Sequence, residues 1–250
     1  MTEFNVIIAN GEFPTHSYPL ELIKKAKNII CTDGSAEKLL NINIHPDILI
    51  GDMDSTKIDS ADIKSKILED KNENNTDLEK ALIYYSENFN NEKLFILGAT
   101  GLRDDHNFAN LLLLNKYSES LSVMFITNYY KILVNKGKNI YPSTPSQQVS
   151  ILPLKNINKV TTEGLKYELN ESPLEASSTG ISNIALNKEF SINSSEIFIF
   201  LDLCFTPLKE WSFKKSFFVV KVILFFSGKL SLLAPKYCFN PIKKLPFFNS

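Results

Sequence analysis

Cysteine is scarce in this chain: Cys31, Cys204 and Cys238 are the only three in 250 residues, and they stand far apart. That excludes a disulfide framework, and no CxxC or Cys/His spacing suggests zinc. The N-terminus, MTEFNVIIANGEF, lacks the basic stretch of a signal peptide. Long apolar runs are also missing. The longest, Phe217 to Phe226, is ten residues interrupted by Lys221, too short to span a bilayer. A cytoplasmic protein with no membrane partner is the expectation. There is no excess of charge, since 27 Lys+Arg stand against 28 Asp+Glu for a formal net of −1. That balance argues against a nucleic-acid partner. The phosphate-binding signatures GxxxxGK[ST] and GxGxxG are absent as well. Arginine is nearly absent, and Arg103 is the only one.

The near-zero charge hides a division. Residues 1–200 carry 19 basic and 26 acidic side chains, a net of −7, while residues 201–250 carry eight Lys against Asp202 and Glu210, a net of +6. The last fifth also holds nine of the eighteen Phe and the single Trp, Trp211. This Phe/Lys-rich tail, residues 204–250, reads as translation past a lost reading frame in an AT-rich gene. An added hairpin, or a segment for a membrane surface or partner, is the competing reading.

Up to about residue 138 short apolar β-rich runs alternate with helical stretches, the pattern of an α/β domain with a mostly parallel, Rossmann-like sheet. Strands are expected at Phe4–Ala9, Asn28–Cys31, Asp47–Ile50 and Lys93–Leu97. Helices are expected at Leu20–Ala26, Ser35–Leu40, Asp77–Phe89 with Thr76 as N-cap, and Asp105–Leu114. From Asn128 short strands separated by Gly, Pro, Asn and Ser turns point to a small antiparallel β-sandwich over residues 139–203. These are Lys131–Val134, Gln148–Leu152, Lys159–Thr162, Ile184–Leu186 and Ile197–Phe200. The turn-rich stretch 135–147 (NKGKNIYPSTPSQ) reads as the boundary.

Carboxylates gather after the strands of the first domain, where open α/β sheets bind ligands. Asp33 follows the second strand, Asp52 and Asp54 the third, Asp77 opens the long helix, and Asp105 lies just past Gly98-Ala99-Thr100-Gly101. In Gly51-Asp52-Met53-Asp54-Ser55, two carboxylates beside a glycine suit a hard divalent cation, with Asp77 as a third acid. A plain surface turn is the alternative. In GATGLRDDHNFAN (98–110) small residues at a helix start offer backbone N–H groups to a phosphate, and Arg103 a bidentate partner, unless it is simply a surface arginine. His106 reads as a structural hydrogen-bonding residue, and His16 and His45 as loop residues.

Taken in order, NGEFP (10–14), CTDGSA (31–36), GDMDS (51–55), NTDLEKAL (75–82), GATGLRDDHNFAN (98–110), GLKYEL (164–169) and GISN (180–183) resemble the motifs of the thiamine pyrophosphokinase family over about residues 4–201. The resemblance implies a homodimer of two-domain chains that transfers a pyrophosphoryl group from ATP to the hydroxyethyl group of thiamine. It implies that Asp52, Asp54 and Asp77 hold Mg2+ and that Asp33, Gly34, Ser35, Lys80, Gly101, Arg103 and Asn110 meet ATP. Asp105 would shape the site near the transferred group. Tyr167, Ser182 and Asn183 would form a thiamine pocket across the dimer interface. The proton acceptor stays open between Asp54, Asp105 and a metal-bound water. Three departures stand out: the family's DGG is Asp33-Gly34-Ser35, Leu102 replaces a glycine, placing a β-carbon in a tight turn, and the aromatic of the thiamine pocket, often Trp, is Tyr167. Another Mg2+-dependent nucleotide phosphoanhydride hydrolase, or a thiamine-binding protein without catalysis, is the rival reading.

Overall fold

The structure is a computed structural model that describes residues 3–53, 65–89 and 92–203. Asp54 and the tail from Cys204 lie outside the described residues, so the expectations placed on them do too. The chain runs β1 (Phe4–Ile8), α1 (Ser17–Lys25), β2 (Ile29–Thr32), α2 (Ala36–Leu40), β3 (Ile48–Gly51), β4 (Lys66–Glu69), α3 (Asp77–Asn88), β5 (Lys93–Leu97) and α4 (Asp104–Tyr117). It continues with β6 (Val123–Ile126), β7 (Tyr130–Pro142), β8 (Gln148–Leu152), β9 (Ile157–Glu163), β10 (Ser172–Leu174), β11 (Asn183–Ile184) and β12 (Glu189–Asp202).

Strands β6-β5-β1-β2-β3-β4 form a parallel sheet in that order. FNVII of β1 and IICT of β2 are buried at every position, as strands covered on both faces require. Helix α1 begins three residues before the expected Leu20, because His16 Nδ1 accepts from the Tyr18 N–H and caps it. Helix α3 starts as expected, with the Thr76 hydroxyl accepting from the Glu79 N–H. Two strands of the parallel sheet escaped the sequence reading, as did the short β10 of the antiparallel part. β4 is an edge strand with exposed, charged residues, and β6 (VMFI) follows a helix with little turn chemistry between.

The antiparallel part is joined to the parallel one by hydrogen bonds. β7 pairs antiparallel with β6, and β12 pairs with β7 along nearly its whole length. On its other edge β12 pairs with β9 through Ser191–Asn193 and with β8 through Phe198–Leu201. The stretch 135–142, expected as a turn-rich boundary, is strand instead, and only residues 143–147 turn. A register shift between Ser194 and Ile197 is accommodated there, with the Asn135 side chain donating to Ser194 Oγ at 2.9 Å and to the Gly137 carbonyl at 3.0 Å. A division at 138/139 would cut through β7.

β12 serves two cores by simple alternation. Phe198 faces the core of the parallel part, with Ile7, Ile96, Leu82 and Tyr85. Ile197, Ile199 and Leu201 face the sandwich core, with Val149, Val160, Leu165 and Phe190.

Candidate active site

After β4 the chain crosses back to place β5 beside β1, so the connections from β1 and β5 diverge. An open parallel sheet leaves a crevice at the carboxyl ends of two such strands. A cleft of about 520 Å³ opens there. It is lined by Ala9, Asn10 and Gly11 after β1, by Gly98, Ala99 and Gly101 after β5, and by Asp77 and Arg103 at the starts of α3 and α4. The two loops are stitched together, with Gly11 N–H donating to the Gly98 carbonyl at 2.7 Å and Glu12 N–H to Thr100 at 2.8 Å. A β-carbon on Gly11 would run into that Gly98 oxygen, so the close approach requires glycine.

Asp77 is half-buried, and its carboxyl is pushed above the ordinary range, first by burial and further by the charges of Asp52 and Asp33. Against this, Lys80 Nζ donates to Asp77 Oδ1 at 3.0 Å. Lys80 is itself only 5 % exposed, so the pair is a structural part of the α3 start. Asp33 is buried at the end of β2 and accepts from the Gly34 N–H at 2.8 Å. Gly51 lies so close that a β-carbon there would sit 2.5 Å from Asp33 Cβ. Ser35 is buried and donates its hydroxyl to the carbonyls of Ile8 and Thr32, both at 2.8 Å, which ties α2 to the sheet. The structure thus brings Asp33 and Asp52 within electrostatic reach of Asp77. Among the described residues, no three His, Cys, Asp or Glu are close enough to hold a metal between them.

Arg103 stands at the cap of α4 with its guanidinium exposed. Nε donates to Asp105 Oδ1 at 3.1 Å and Nη2 to Oδ2 at 2.6 Å, a two-pronged pair. With the His106 N–H added, this holds the Asp105 carboxyl down to about 2. Arg103 lines the cleft and Asp105 does not. Asn110, buried two turns on from Arg103, donates to the Ala99 carbonyl at 2.7 Å and fixes the glycine loop to α4. Leu102, on the rim, has φ of 67° and is 77 % exposed, so the left-handed turn that suits glycine is kept by a leucine whose side chain escapes into solvent. Sequence reasoning did not single out Asn10, Thr32 or Asn107 among the lining residues. The rule that located the carboxylates, residues just past strand ends, also covers Asn10 and Thr32.

Tyr167, Ser182 and Asn183 also come together, in the sandwich. The buried Asn183 side chain accepts from Tyr167 N–H at 3.0 Å and donates to the Tyr167 carbonyl at 2.8 Å. Ser182 N–H donates to Ser150 Oγ, and Gln148 donates to Ser182 Oγ at 3.2 Å. The Tyr167 ring is 62 % exposed with the Lys166 ammonium 5.2 Å from its centre. None of these three residues lines the cleft.

The chain matches the family described as thiamin pyrophosphokinase, catalytic domain, over residues 20–125, and the thiamin pyrophosphokinase, vitamin B1 binding domain, over residues 130–197. Thiamine pyrophosphokinase 1 of Arabidopsis thaliana is 24 % identical over 224 residues, covering 77 % of this chain and 83 % of the relative. Thiamin pyrophosphokinase 1 of Caenorhabditis elegans is 24 % identical, covering 82 % and 89 %. Among solved structures, yeast thiamin pyrophosphokinase superposes with a TM-score of 0.69 at 18 % identity, covering 81 % of this chain and 87 % of that one. The Bacillus subtilis thiamine pyrophosphokinase gives 0.68 at 23 %, covering 80 % and 98 %.

Proposed function

The chain belongs to the thiamine pyrophosphokinase family, and on that footing we propose that it transfers the pyrophosphoryl group of ATP to the hydroxyethyl group of thiamine, giving thiamine diphosphate and AMP. The observation that carries the reading is the cleft at the carboxyl ends of β1 and β5. There the only arginine of the chain, Arg103, and Asp77, which is paired with the buried Lys80, line one opening. In the reaction, the thiamine hydroxyl oxygen bonds to the β-phosphorus while the bond from that phosphorus to the α–β bridging oxygen breaks. AMP leaves with the bridging oxygen, and the hydroxyl proton is given up to solvent.

Residues fit a divalent cation on one physical ground: Asp77 is raised first by burial and, against the pull of Lys80, further by the charges of Asp52 and Asp33, and a cation beside these carboxylates would relieve that repulsion. Asp52 and Asp77, with Asp54, would hold Mg2+, which supplies neutralisation of the triphosphate charge. Arg103 steadies phosphate oxygens, and Asp105, by gripping two guanidinium nitrogens, aims it. A carboxyl near 2 accepts protons poorly at neutral pH, so Asp105 acts as a positioning residue and not as the base. Asp33, Gly34, Ser35, Lys80, Gly101 and Asn110 shape the ATP side. Tyr167, Ser182 and Asn183 take thiamine, whose cationic ring suits the exposed tyrosine face. Because that tyrosine is open to solvent, a second copy of the chain would complete the pocket, in a cytoplasmic homodimer.

AMP formation from ATP, measured by a coupled assay with and without thiamine, tests the reading. Thiamine-dependent AMP is the expected result. ADP or phosphate release without thiamine would favour a hydrolase, and tight thiamine binding without turnover a pure binder.

A further inference from the structure

Lys38, on α2, takes no part in the machinery above, yet it reaches the back of the cleft wall. Its ammonium donates to Asn10 Oδ1 at 2.9 Å, to the Gly11 carbonyl at 3.0 Å and to the Asn10 carbonyl at 3.4 Å. Asn10 and Gly11 line the cleft, and Lys38 does not. The Asn10 carboxamide is pinned between this ammonium and Gly34, where a β-carbon would collide with it. Three neutral acceptors thus hold a cation, and among the described residues no carboxylate pairs with it. Its pKa bears the mark of this, lowered by burial with no acidic neighbour to raise it. Neutral carbonyls solvate a charge without cancelling it.

We propose that Lys38 is a positioning residue of the nucleotide cleft: it fixes the Asn10–Gly11 loop from behind and leaves one uncancelled positive charge facing the phosphates through that loop. This rests on the ATP reading above and adds to it a cation that never touches the ligand. A charge placed behind a wall acts on phosphate in proportion to phosphate charge, whereas a mere strut for the loop affects every nucleotide alike. The two roles therefore separate experimentally.

The test is calorimetric titration of ATP, ADP and AMP, in one magnesium buffer, into wild-type, Lys38→Gln and Lys38→Arg chains. Gln keeps hydrogen-bond donors for the Asn10 and Gly11 carbonyls and removes the charge, and Arg keeps both. For Lys38→Gln the expected loss of affinity is about tenfold for ATP, less for ADP and about twofold for AMP, with Lys38→Arg within about twofold of wild type. An equal loss for all three nucleotides, or none, would overturn the proposal while leaving the ATP reading intact. Failure of the wild-type chain to bind ATP would instead overturn the ATP reading, and this inference with it. Should Lys38→Gln melt early, Lys38→Arg and Lys38→Met are titrated at a temperature where both are folded: the lost strut in Lys38→Met weakens all three nucleotides alike, so a loss that still grows from AMP to ATP supports the proposal and an equal loss overturns it.

Discussion

The parallel and antiparallel parts of this chain handle their candidate ligands in opposite ways. In the parallel part, strand ends and helix starts point inward on one crevice, so Asp77, Arg103 and the two glycine loops share a cleft within a single chain. In the antiparallel part, Tyr167, Ser182 and Asn183 are held rigidly to one another but displayed on a surface. A parallel sheet generates a concave site from its topology alone. A small sandwich offers only loops, and needs another surface to enclose what it binds. Within the parallel part itself the environments diverge: burial shifts Asp77 upward, while the exposed Arg103 guanidinium holds the Asp105 carboxyl down to about 2.

The contrast can be broken from either side. The largest effect is expected from Ile199→Ala, which removes a fully buried side chain from the sandwich core and should cost roughly 2–5 kcal/mol. Because β12 is bonded to β7 and β7 to β6, the whole described unit should lose stability in one transition, read by thermal melting. Two separated transitions would show that the halves are independent after all. Next comes Asp77→Asn, expected to lower kcat by about 10²–10³-fold while the circular dichroism spectrum stays unchanged. Activity within a few-fold of wild type would remove the carboxylate cluster from the mechanism. A smaller change is expected for Tyr167→Ala, a rise in the KM for thiamine corresponding to about 0.5–2 kcal/mol with the KM for ATP unmoved. If both constants rise together, the two parts do not divide the substrates. The smallest change is expected for Leu102→Gly, which should raise stability by less than about 1 kcal/mol, since relief of the left-handed leucine is largely offset by glycine's greater freedom in the unfolded chain.

Much of the parallel half was legible because its signals are local. Strand Lys93–Leu97 and the Thr76 cap stand where the residues alone put them. The strand-end rule led to Asp33, Asp52 and Asp54, and the helix starts led to Asp77 and Arg103, without knowledge of strand order. The antiparallel half was less legible because its determinants are long-range. Stretch 135–142 reads as turn, with its Gly, Asn and Pro, but it is strand because β12 supplies a partner from about fifty residues further on. The extension of β12 back to Glu189 has the same cause, since SINSS has weak strand character alone. Leu102 breaks a local rule and is tolerated because its side chain meets solvent and not backbone.

β12 carries a consequence for how the molecule is made. A ribosome releases the chain from the N-terminus, so residues 189–202 emerge only after every strand they pair with. Until then the parallel sheet, whose six strands lie within residues 4–126, has what it needs to form. β7 has only its short pairing with β6, and β8 and β9 have no central strand to join. The sandwich is therefore the last layer to be sealed, by a single strand. A pause in translation before residue 189 would leave a chain with a finished cleft and a row of open edges, the state in which chaperone binding or strand exchange with a neighbouring nascent copy is most favoured.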